Sequence, residues 1–131
     1  MNDLSMSKEM HLAPLTGRDA RLPELIYGYL SNPLLQESLS FIPLATCFDY
    51  ARAPAAYDPE NSWRRAVIRR FGASALPHWR TIRGFCDGKQ KDAKRRRAAC
   101  EYVARHRDKT WARELRPWIA LMEKSLTRAK D

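Results

Sequence analysis

Apolar side chains along this chain recur mainly at intervals of three and four residues, the spacing that gathers them on one side of an α-helix. The clearest set is Trp111, Leu115, Trp118, Met122 and Leu126. Trp63, Ala66, Val67 and Phe71 form a second stripe, with Arg64, Arg65, Arg69 and Arg70 on its wet side. Leu44, Cys47, Phe48 and Ala51 form a third. Leu76, Trp79, Ile82 or Arg83, and Cys86 lie near one side of a fourth, and Cys100, Val103 and Ala104 give a fifth something to pack. Beyond residue 19 no stretch alternates with the period of a strand. The pattern predicts an all-α domain of five or six helices behind a short extended N-terminal segment.

Start and stop signals place these helices. The first is predicted over residues 22–30, broken by Ser31-Asn32-Pro33 because proline disfavours the α region for its predecessor. The second runs over 36–51, with Pro43 either kinking it or forming its true first turn. The third has the best start: Asp58 as cap, Pro59 in the first helical position and Glu60 at the positive end of the dipole, with Gly72 as the stop. A fourth is predicted over 74–86, a fifth over 89–106, and a sixth from Thr110 onward with Pro117 bending it. The stripe of the sixth is expected to pack against the helix carrying Trp63 and Val67. The segment His11 to Leu15 reads as extended, and Pro14 makes it a poor central strand.

The chain has 131 residues, 44% hydrophobic and 10% aromatic, with four tryptophans. That suffices for one globular core and excludes a complete (β/α)₈ barrel, which needs about 250 residues. No apolar run is long enough to span a membrane. Residues 1–10 lack the apolar core of a leader and read as a loose terminus, so a cytoplasmic protein is expected. Three cysteines, Cys47, Cys86 and Cys100, without Cys-x-x-Cys spacing read as reduced, mostly buried thiols. His11, His78 and His106 have no paired spacing, so neither a metal nor a cofactor is expected.

Charge is uneven. Residues 1–58 carry a net −3 and residues 59–131 a net +12. Lys91, Lys94, Arg95, Arg96 and Arg97 crowd the start of the fifth predicted helix, opposed only by Asp92. They are the candidate residues for a polyanion such as nucleic acid, to be held weakly and at low salt. The competing reading is a set of solvated helix faces. No helix-turn-helix signature or interleaved exposed aromatics accompany them.

No catalytic motif is present: no GxSxG, no HExxH, no phosphate loop and no dinucleotide glycine pattern. Three segments nevertheless carry a resemblance. Gly28-Tyr29-Leu30-Ser31-Asn32-Pro33-Leu34 is followed by Leu44-Ala45-Thr46 and then by Tyr57-Asp58-Pro59. With His11 to Asp19 before them, they resemble the end of the catalytic barrel and the start of the helical domain in the β-N-acetylglucosaminidases of glycoside hydrolase family eighty-four, which includes the protein O-GlcNAcases. The resemblance is useful over residues 11–71. It implies that 11–35 is a barrel-end remnant and 36–131 a helical domain. It also implies that Asn32 descends from an asparagine that hydrogen-bonds the hydroxyls of the terminal N-acetylglucosamine. Here Leu34 stands where that loop usually has methionine. Many members are exported, so a lost leader is the other reading of the N-terminus.

In that family two consecutive aspartates perform the chemistry, one positioning the substrate's own acetamido group and the other acting as general acid and base. No two aspartates are adjacent in this chain. The sequence therefore predicts no catalytic residue and a glycosidase-derived helical module that is inactive alone. Its expected partners are a separate barrel-bearing chain or an N-acetylglucosamine-containing ligand, and no membrane. A basic helical module for nucleic acid or another polyanion is the alternative.

Overall fold

Asp58 opens the best-defined helix: its carboxylate accepts the Asn61 N–H at 2.9 Å and Pro59 follows in the first turn. A computed structural model of the chain describes residues 10–28, 30–31 and 34–127. Among these, the helices are α1 (Leu22–Leu25), α2 (Glu37–Arg52), α3 (Pro59–Phe71), α4 (Leu76–Cys86), α5 (Ala93–Arg105) and α6 (Thr110–Thr127), with 3₁₀ turns at Pro54–Ala56 and Ala73–Ala75. The described residues contain no strand. The all-α expectation holds, and Met10 to Leu15 runs without helix ahead of it.

α2 packs on α3 and, less extensively, on α6; α5 lies between α4 and α6; α3 meets α4. The core joins Leu39 and Ile42 of α2, Trp63 and Val67 of α3, Trp79 and Ile82 of α4, Val103 of α5, and Leu115 and Met122 of α6. Met10 and Leu12 enter it from the N-terminal segment. An aromatic series crosses the helices: Phe71 stacks on Trp79 with ring centroids 4.2 Å apart, and Trp111 lies 5.5 Å from Trp79. Gly72 ends α3 at φ 86° and Gly88 follows α4 at φ 68°, a region where a side chain is strained.

Four expectations change. The first helix is only Leu22–Leu25, with Ile26 already extended. It buries no residue, so nothing offsets the cost of nucleating further turns. The second helix turns Leu39, Ile42, Thr46 and Tyr50 inward, not Leu44, Cys47, Phe48 and Ala51. Its outer side is also apolar, so a single-stripe reading picked the wrong face. Pro43 lies within α2 and Pro117 within α6. The fifth helix starts at Ala93, because Asp92 accepts the Arg95 N–H and caps it. The sixth turns Ile119 rather than Trp118 fully inward, and packs on α5 and α2, reaching α3 through the Phe71–Trp111 edge contact.

The thiols Cys86 and Cys100 are pushed up, chiefly by burial, to about 12 and about 11. Both stay protonated at neutral pH, and the thiolate is the nucleophile. Iodoacetamide at mildly alkaline pH should therefore modify Cys86 and Cys100 on the order of 100-fold more slowly in the native protein than in denaturant. Peptide mass spectrometry reads this directly; equal rates in the two states would contradict the burial.

Candidate functional site

The N-terminal segment is held by side chains rather than by a sheet. Trp63 Nε1 donates to the Leu12 carbonyl at 2.7 Å, in the core. The Leu15 N–H donates to Thr46 Oγ1 at 2.9 Å, and Tyr57 Oη donates to the Leu15 carbonyl at 2.8 Å. Tyr50 Oη donates to the Asp19 carbonyl at 2.6 Å. Buried backbone polar groups need partners, and four polar tips on apolar bodies supply them. The sequence pattern puts Trp63 on an apolar stripe but does not show that the polar atoms of Trp63, Thr46 and Tyr57 fix residues 12–19. The available signal was that buried Tyr and Trp seek an acceptor.

Asn32, the candidate sugar-binding residue, lies outside the described residues, as do Tyr29 and Pro33. The described residues on either side rest on α2. Ser31 Oγ is 4.0 Å from Cys47 Sγ, and the Leu34 carbonyl accepts Ser40 Oγ at 3.1 Å. The start of α2 has no side-chain cap of its own at Gln36. Instead the Glu114 carboxylate of α6 accepts the Ser38 and Leu39 N–H groups, each at 3.2 Å. A carboxylate there satisfies orphan donors and suits the positive helix end. The loop thus leads into a helix end tied to the far end of the chain.

Toward the other end of α2 lies an apolar surface. A groove of about 290 Å³ is lined by Leu22, Ile26, Tyr27, Tyr50 and Ala51. A second groove, of about 360 Å³, runs along α2 and is lined by Phe41, Leu44, Phe48, Arg52 and, from α3, Arg69. Phe48 is 72% exposed, and Leu25, Tyr27, Leu30 and Leu35 are more so. This surface includes the stripe that the sequence pattern assigned to the core.

The basic candidates do not share one surface. Lys91 precedes α5 and Lys94 is exposed in its first turn. Arg95 is exposed, 3.6 Å from the Asp92 carboxylate. Arg96 is half-buried, donating to Ser125 Oγ at 2.6 Å and to the Lys91 carbonyl at 3.2 Å. Arg97 lines a hollow with Glu101 and Glu123, toward α6. Among the described residues no group of His, Cys, Asp and Glu is placed to hold a metal ion, and no helix is long and apolar enough to cross a membrane.

No curated protein matches this chain. Among solved structures, an O-GlcNAc hydrolase mutant from Thermobaculum terrenum shares the fold with a TM-score of 0.81 and 21% identity, the likeness covering 93% of this chain and 33% of that one. The chain therefore spans about a third of that protein's length. Residues 1–83 match the family model described as β-N-acetylglucosaminidase. With more than half of its residues matched in this way, the chain belongs to the β-N-acetylglucosaminidase family.

Proposed function

We propose that these 131 residues form the helical module of a β-N-acetylglucosaminidase-type glycosidase, without hydrolytic activity by themselves. In this reading residues 11–35 are the remnant of a barrel end. The outer face of α2, with the segment before it, seats a catalytic barrel carried elsewhere. By the family resemblance, Asn32 contributes to holding the N-acetylglucosamine that the barrel binds, since a side-chain amide offers both donors and an acceptor to sugar hydroxyls. The observation that supports this most is the exposed apolar surface of Ile26, Tyr27, Phe41 and Phe48, which lies within the residues matched to the family. The solved relative has two-thirds of its chain beyond the shared fold, ample to cover such a surface. Hydrolysis itself requires a general acid for the leaving oxygen, and the adjacent aspartates that supply it in the family are missing from this sequence.

Purified protein should hydrolyse a chromogenic β-N-acetylglucosaminide no faster than buffer does. Turnover that survives repurification and is lost in Asn32→Ala would overturn the proposal, because the chemistry would then reside in these residues.

A further inference from the structure

The basic surface left unused by that reading is organised by α4 and α5. Between them runs a groove of about 380 Å³, with Arg80, His78, Gln90 and Arg95 in its lining. Arg80 is exposed and has no carboxylate within ion-pair distance among the described residues. Arg105 of α5 lies outside that lining, close enough to His78 for its charge to act on the imidazole. Burial holds the His78 imidazole below its ordinary value, and the positive charge of Arg105, with that of His106, adds to this. Residues 76–106 contain nine Lys/Arg against three Asp/Glu.

Three of those nine have partners within the chain, although the Arg95–Asp92 pair, at 3.6 Å, is solvent-exposed on both sides. Arg83 pairs with Glu60 at 3.0 Å and lies over the Trp63 ring, and Arg96 is tied to Ser125. Arg95 and Arg105 are separated by about 15 Å along α5, at roughly 1.5 Å per residue. That distance spans about four phosphates of one duplex strand at roughly 3.4 Å of axis each.

We propose that the α4–α5 groove binds the phosphodiester backbone of double-helical nucleic acid through Arg80, Arg95 and Arg105, without reading bases. Arginine forks match phosphate oxygens in pairs where lysine offers a point charge. The ring in the groove's lining, His78, is already stacked on Tyr102 with centroids 4.5 Å apart, which leaves little of the stacking platform that single strands need. Backbone contacts of this kind position a duplex but do not discriminate sequence.

The test is fluorescence anisotropy of a labelled duplex of about 20 base pairs over a salt series; three arginines predict a slope of log K against log salt of about −3. Arg80→Glu/Arg95→Glu/Arg105→Glu should weaken binding more than about 10-fold at low salt and bring the slope close to zero. Arg64→Glu/Arg69→Glu/Arg70→Glu reverses the same charge on α3 and should retain the slope. Unchanged helical circular dichroism in both variants secures the comparison. The inference fails if the wild type does not bind, or if the two triple variants lose affinity equally, since net charge alone would then account for it. It also fails if heparin binds at the groove and the duplex does not, which would assign the surface to a sulfated glycan.

Discussion

Trp63→Ala should destabilise the protein by about 3–5 kcal/mol, the range for removing a fully buried tryptophan. Such a loss is a large part of a total stability of roughly 5–15 kcal/mol. Trp63 is wholly buried and links three elements. Its ring packs in the core from α3, the Arg83 guanidinium of α4 lies 4.1 Å from its centroid, and its Nε1 holds the Leu12 carbonyl. Trp63→Phe separates these roles. It keeps most of the apolar body but leaves a buried carbonyl without its donor, at a cost of about 1–3 kcal/mol. Limited proteolysis should then cut residues 12–19 faster in the phenylalanine variant, because one of their four side-chain tethers is gone. Urea unfolding gives the energies. An alanine variant within about 1 kcal/mol of wild type, or unaltered cleavage near Leu12, would show that the tether does not hold the segment.

The helices were legible where local chemistry and packing agree. In α3 the Asp58 cap, Pro59, the Trp63–Ala66–Val67 stripe and Gly72 all say the same thing, and the helix falls where they place it. α2 was misread because it is apolar on both sides; periodicity locates a stripe but not the partner that covers it. Asp92 looked like a lone acid in a basic run, yet its carboxylate sets the start of α5. The tethers from Thr46, Tyr50, Tyr57 and Trp63 to residues 12–19 join positions more than 30 apart, which no local pattern encodes. The Glu114 carboxylate beneath α2 is the same case, across 75 and 76 positions. Of the candidate site, Asn32 rests on the family resemblance alone and lies outside the described residues. The basic cluster was legible as composition, but its division among α5 faces depends on the packing of α5 between α4 and α6.

The largest further effect is expected at Trp79, and its comparison with α6 decides which face of that helix is the core. Trp79 is fully buried, stacked on Phe71 and close to Trp111. Trp79→Ala should cost about 3–5 kcal/mol. On α6, Ile119 is 8% exposed while its neighbour Trp118 is only partly buried against the core's edge. Ile119→Ala should therefore cost about 2–5 kcal/mol. Trp118→Ala, with only part of its ring withdrawn from water, should cost about 1 kcal/mol, below the roughly 1.5–3 kcal/mol of a fully buried apolar side chain. By size alone the order would run the other way on α6, since tryptophan loses many more atoms than isoleucine. Melting temperatures and urea midpoints of the three single variants rank them. If Trp118→Ala proves costlier than Ile119→Ala, α6 is rotated toward Trp118, which the sequence pattern places on one stripe with Trp111, Leu115, Met122 and Leu126, and the packing of α6 on α5 and α2 must change with it.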